Sequence, residues 1–183
     1  MLIARQRLRG FSLIELMVGL AVLGVLLAAG APSFRTWLNN TQIRNAAEAI
    51  QNGLQQARAA AVQRNSLVVF TLGAGSSWTV GCATATATCP AVIESRSSQE
   101  GSVNAVVAAD QAAITFNGLG RTTVVGVAKK FVITNPNGGA CVSASGQMRC
   151  LNVVVTNGGQ IRKCDPAITN SNSAPQGCTD QEK

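Results

Sequence analysis

Residues 10–34 read GFSLIELMVGLAVLGVLLAAGAPSF, and from Phe11 to Phe34 the only charged side chain is Glu15. A helix of that length rises about 36 Å, against about 30 Å of bilayer hydrocarbon, so the segment is long enough to anchor the chain in a membrane. Ahead of it lies MLIARQRLRG, short and carrying Arg5, Arg7 and Arg9. An ordinary secretory signal places its small-residue cleavage site after the apolar run, whereas here the distinctive residues precede and open it. Glu15 is what a plain anchor does not explain. A lone carboxylate near the start of an apolar helix costs about 2 to 3 kcal/mol on insertion and marks a functional contact. No Lys or Arg lies within the segment. The expected partner is therefore an amine created by cleavage immediately before the segment, on a neighbouring chain.

Outward from this stretch, 183 residues leave room for one head on one stalk, and are too few for two ordinary domains with an anchor. The net charge is +7; removing the three leader arginines leaves 12 basic against 8 acidic side chains, or +4, a weak pointer to an anionic partner. The chain has neither histidine nor tyrosine, which removes the commonest general base and transition-metal ligand. No nucleophile is accompanied by a base, no carboxylates pair closely in sequence, and there is no phosphate loop. These absences exclude an enzyme and call for no cofactor or metal.

All six cysteines, Cys82, Cys89, Cys141, Cys150, Cys164 and Cys178, lie beyond the stalk. Behind an export segment an even number of cysteines reads as disulfides. Zinc is the competing reading, but no CxxC pair occurs and the spacings are too wide for the usual knuckle. Many connectivities are open to six cysteines; the expectation is that neighbours pair, closing three small loops.

Pro32 near the end of the apolar run removes a helix hydrogen bond and is expected to kink or loosen the backbone, with Gly19, Gly24 and Gly30 as further weak spots. Beyond it Ile43, Ala47, Ile50, Leu54, Ala57 and Ala61 recur every three or four residues on one helical face. Arg44, Glu48, Gln51, Gln55 and Arg58 fall on the other. The helix should run to about Gln63, a rod of roughly 80 Å from Phe11, with its stripe packed on the chain's own sheet. The competing reading, a coiled-coil seam, is disfavoured by the short, alanine-rich stripe.

After Asn65 the sequence changes to short β-rich runs: Leu67–Leu72, Trp78–Cys82, Ser102–Ala108, Ala113–Phe116, Thr122–Val127, Lys130–Thr134 and Met148–Thr156. Turn signals rich in Gly, Asn and Ser separate them. Trp37 and Trp78 read as interface or core residues. Pro166–Lys183 is polar and reads as a loose tail, tied back only if Cys164 pairs with Cys178.

Gly10-Phe11-Ser12-Leu13-Ile14-Glu15 resembles the type IV prepilin processing site, and the match continues to Pro32. The resemblance implies that a prepilin peptidase cuts between Gly10 and Phe11 and N-methylates Phe11, and that Glu15 neutralises the terminal amine of an adjacent subunit during assembly. Further along come the helix, Leu67-Val68-Val69-Phe70, Ile114-Thr115-Phe116-Asn117-Gly118-Leu119-Gly120-Arg121, and Gly158-Gly159-Gln160-Ile161-Arg162-Lys163-Cys164-Asp165-Pro166. This order resembles the GspH/FimT family of minor pilins and pseudopilins, FimU-like members included. The implied fold is α+β of the type IV pilin kind, a long N-terminal helix on an antiparallel sheet head. Its expected parts are a leader (1–10), a transmembrane and filament-core helix (11–34), the amphipathic half of the helix (35–65) and a disulfide-bearing head with a polar tail (66–183).

The function implied is that of a minor pilin subunit that helps initiate or cap assembly of a type IV pilus. Its partners would be the prepilin peptidase and other minor and major pilins. It would sit in the inner membrane with a periplasmic head, then in the pilus at the cell surface. One rival is DNA capture during natural transformation, which some FimT members support through a late GRxR motif. Here the aligned residues are Gly159, Gln160, Ile161 and Arg162, followed by Lys163, so glutamine replaces the first arginine. Arg162 and Lys163, with Arg121 and Arg149, would be the phosphate contacts, against the plain reading of solvated strand-end charges. The other rival is a minor pseudopilin of type II secretion, sharing leader, stalk and head.

Overall fold

The structure, a computed structural model, describes residues 10–123 and 128–183. Its first element, α1 (Leu13–Arg64), is one helix of 52 residues with Pro32 inside it. Ser12 caps the start: its Oγ accepts the Glu15 backbone N–H at 3.2 Å, satisfying one of the free donors of the first turn. At the other end Asn65 takes a left-handed φ of 45°. Its N–H donates to Val62 O at 3.3 Å, and that of Ser66 to Ala61 O at 3.2 Å. This pair of closing bonds ends the helix on a residue that tolerates the left-handed region.

The chain divides into two compact units, with the boundary between Arg35 and Thr36, inside α1. In the first, every residue from Gly10 to Phe34 is exposed, and α1 is long and apolar enough there to cross a membrane. A helix apolar on all sides needs an apolar surrounding. In the second unit the helix is one-sided: Ile43, Ala46, Ala47, Ala49, Ile50, Gly53, Leu54, Ala57, Ala60 and Ala61 are buried. The six residues of the expected stripe are all among them.

Among the described residues nine strands make the head: β1 (Val68–Leu72), β2 (Trp78–Cys82), β3 (Glu94–Arg96), β4 (Val106–Ala109), β5 (Ala113–Phe116), β6 (Lys129–Thr134), β7 (Leu151–Val155), β8 (Ile161–Thr169) and β9 (Gly177–Cys178). They form two sheets, ordered β3-β2-β1-β5 and β4-β6-β7-β8-β9. All neighbours are antiparallel except β8 and β9. Alternation puts Val68 and Phe70 of β1, Ile114 and Phe116 of β5, and Phe131 and Ile133 of β6 into one core with the helix stripe. Phe70 joins the two sheets, its ring edge-on to Phe131 at 5.7 Å and tilted against Trp78 at 5.9 Å.

Several boundaries differ from those the sequence suggested. Ser102 is not in a strand; its hydroxyl is buried against that of Ser76 at 2.8 Å, and β4 starts only at Val106. Thr122 makes a single bridge to Phe116, and the rest of the expected strand to Val127 lies mostly outside the described residues. Strands β3, β8 and β9 were not foreseen. The C-terminal segment is not loose: β8 runs through Pro166, which lies past the last β7 pair, Asn152 with Cys164, where no ladder N–H is needed. A disulfide between Cys164 and Cys178 ties the chain back. The other two are Cys82–Cys89 and Cys141–Cys150, so every cystine joins cysteines that are neighbours in order.

Gly53 sits mid-helix, where glycine costs about 1 kcal/mol relative to alanine. Its reason is contact: a Cβ there would stand 2.8 Å from two fused-ring atoms of the Trp78 indole and 2.9 Å from Phe70. Trp78 is 4% exposed, so the added methyl would have to displace a buried indole. Gly53→Ala should therefore destabilise the head by about 1 to 3 kcal/mol despite its better helix propensity. Chemical denaturation followed by tryptophan emission tests this, and a gain in stability would contradict the packing described.

Candidate assembly site and the cations of the head

The N-terminal site is built by the start of α1. The Gly10–Phe11 peptide lies ahead of the helix, in non-helical, exposed backbone, which an enzyme can take in extended form. Phe11 is 85% exposed. Glu15 stands exposed in the first helical turn, where the helix dipole favours an anion. The nearest cation along α1 is Arg35, twenty residues on, or about 30 Å by helical rise. Within its unit Glu15 has no ionic partner among the described residues.

The cations proposed for phosphate contact do not form one patch. Arg162 and Lys163 lie in β8, past the Asn-Gly-Gly turn, and as successive strand residues they face opposite sides of the sheet. Lys163 pairs in register with Val153 of the core face, and its Nζ donates to Glu48 Oε1 of α1 at 3.2 Å. Arg162 pairs with Val154 on the outer face. Its Nε donates to Glu182 Oε1 at 2.8 Å, a second contact joins its Nη2 to Glu182 Oε2, and Nη2 also reaches Gly177 O at 3.0 Å. Arg149 pairs with the buried Asp165 at 3.2 Å. Arg121 is exposed in the turn beside Gly159, its backbone N–H held by Asn117 Oδ1 at 3.1 Å.

Arg162 thus belongs to a C-terminal clasp. Val154, Cys164 and Cys178 form a small second core on the outer face of the second sheet. Asn152 Nδ2 donates to Glu182 O at 2.8 Å, and Lys130 Nζ to Lys183 O at 2.8 Å. The Glu182 side chain is only 11% exposed. Its hydrogen bond from Arg162 lowers its pKa from 4.5 to about 2, against the upward push of burial and with help from the Thr179 N–H and hydroxyl. Nothing in the polar tail sequence marks Glu182 as a partner of Arg162; the signal is purely one of folded proximity.

A cavity of about 310 Å³ between α1 and β8 is lined by Arg44, Arg149, Leu151, Lys163, Asp165 and Ile168, among others. Arg44 was read from the sequence only as part of the helix's polar face. Trp78 is core, while Trp37 is 57% exposed. Among the described residues no three His, Cys, Asp or Glu side chains gather as a metal site.

Residues 46–159 match the profile of the family described as type II transport protein GspH, and residues 5–31 match the prokaryotic N-terminal methylation motif. Two crystal structures of the type IV minor pilin FimU from Pseudomonas aeruginosa strain PAO1 resemble the chain. The form in space group P21 has a TM-score of 0.51 at 19% identity, over 74% of this chain and 94% of that one. The P65 form has 0.50 at 18%, over 74% and 98%. At that identity the likeness is one of fold. A search of curated protein sequences finds no match.

Because the Glu182 carboxyl is more acidic folded than unfolded, its contribution is complete above about pH 4.5 and is lost as pH falls toward 2. The shift corresponds to about 3 kcal/mol. Unfolding midpoints measured across that range should fall more steeply for the native chain than for Glu182→Gln, and parallel curves would contradict the clasp.

Proposed function

The chain belongs to the family of type II transport protein GspH, as a GspH/FimT-like pilin with a prepilin methylation motif, and on that footing we propose that it is a minor subunit that helps initiate or cap a type IV pilus. A prepilin peptidase would cut between Gly10 and Phe11 and methylate Phe11, freeing an amine for Glu15 of an adjacent subunit. The observation that carries this reading is the change of character along α1. Its first part is apolar on every side with one carboxylate at its start, and its second part is the spine of the head. Such a helix holds the precursor in the inner membrane, head in the periplasm, and then suits a bundle of like helices. Its neighbours there would be other minor and major pilins. The family is structural, and its members assemble rather than catalyse.

The family description itself favours a second reading, a minor pseudopilin of type II secretion, which uses the same leader, helix and head. DNA capture is the lesser reading: Arg162, Lys163 and Arg149 each hold a carboxylate of this chain, leaving Arg121 alone of the four outside an ion pair among the described residues. Arg162→Ala would also open the clasp, so lost binding in that variant needs a stability measurement beside it.

Glu15→Ala removes the cost of inserting a carboxylate, about 2 to 3 kcal/mol, so insertion and cleavage should be intact. Incorporation should fall about tenfold or more, the effect of losing about 1.4 kcal/mol of subunit pairing. Quantifying the variant in sheared filaments and in membranes tests this. Normal amounts in filaments would sink the role given to Glu15.

A further inference from the structure

We infer that the flank of the head between α1 and β8 binds an acidic side chain of a neighbouring protein subunit, seated in the cavity of about 310 Å³. The choice of a protein partner rests on the reading of the chain as a subunit of an assembly. Three cations from three parts of the sequence converge there: Arg44 from α1, Arg149 from just before β7 and Lys163 from β8. Asp165 is engaged by Arg149 and Glu48 by Lys163, each at 3.2 Å. Arg44 has no ionic partner among the described residues. The local sum is three positive charges against two negative ones, one unit in surplus.

That surplus and the lining select the ligand. One spare positive charge suits one carboxylate, whereas a phosphate backbone would bring repeated charge past Glu48 and Asp165. Leu151 and Ile168 line the same cavity and offer apolar contact to the methylenes of a Glu side chain. Arginine and lysine here are donors only, with nothing to give an amide oxygen that they would not give a carboxylate more strongly. The sequence hid this site because its members are distant in order and Arg44 looked like an ordinary solvated residue of the helix's polar face.

The test is an NMR titration of the purified full-length chain in detergent micelles, reading the Nε–Hε signals of Arg44 and Arg149 and the methyls of Leu151 and Ile168. The probes are N-acetyl-glycyl-glutamyl-glycine amide, its glutamine counterpart, inorganic phosphate and a short DNA duplex. The glutamyl peptide should shift all four residues together and bind about threefold or more tightly than the glutamine peptide. Arg44→Gln should remove that preference, the scale expected for one partly exposed ion pair. Arg44 is exposed and outside the core, so the variant keeps the fold, checked by unchanged amide shifts in β1 and β6. Equal response to both peptides, silence to both, or stronger binding of phosphate or duplex at these residues would overturn the assignment. The readout uses isolated chains and does not involve Glu15, so failure here leaves the assembly role of the leader helix standing, and failure of that role leaves this result intact.

Discussion

The head depends on how closely α1 approaches the two sheets. Alanine and glycine occupy seven of its ten buried positions, and small side chains let large ones from the strands reach the helix axis. Phe70, Phe116, Phe131 and Trp78 supply the volume that the helix lacks. A close-packed core of this kind forfeits contacts when a side chain is shortened and strains when one is added. Gly53 marks a close approach of α1 to the strands, because the Trp78 indole occupies the space of its absent side chain. One helix therefore obeys two rules: upstream of Arg35 it must be greasy on every face, and from Ile43 onward it must be narrow on one.

The second sheet shows how charge is distributed once that core is set. Period-two alternation along β8 sends Lys163 toward α1 and Arg162 to the opposite face. Neighbours in sequence thus serve different ends, one joining the cation cluster beside α1 and the other locking the C-terminal segment over Val154 and the Cys164–Cys178 bridge. A cystine spanning 14 residues contributes about 3 kcal/mol by restricting the unfolded chain, and Glu182 adds an electrostatic hold that acts only when ionised. The polar tail is ordered by these long-range ties, in spite of a composition that would leave an isolated segment loose.

Periodicity made the helix stripe legible, since Ile43, Ala47, Ile50, Leu54, Ala57 and Ala61 are dictated by a local rule that the fold obeys. Strands β2 and β5 were legible with their bounds because each combines alternating apolar residues with turn chemistry at one end, Gly73–Ser77 before β2 and Asn117–Gly120 after β5. The polar triplet Glu94–Arg96 gave no such signal: it is an edge strand whose pairing with β2 is decided by the sheet. The run Ile161–Thr169 was obscured by Arg162, Lys163, Asp165 and Pro166, charges and a proline that argue against a strand until their partners on α1 and the C-terminal segment are known. The division into two sheets was beyond reach for the same reason, being a matter of which distant strands meet. At the N-terminus Glu15 stood out on physical grounds alone, while the cap formed by Ser12 emerged only from the geometry.

The central claim is that the apolar helix, with a freed terminal amine at Phe11 and a carboxylate at Glu15, is an assembly element rather than a plain anchor. Mass spectrometry of the N-terminus of this protein, recovered from sheared surface filaments of its own cells, tests it most directly. The account predicts a chain that begins at N-methyl-Phe11. A chain that keeps its leader, or one cleaved after the apolar run, would contradict it.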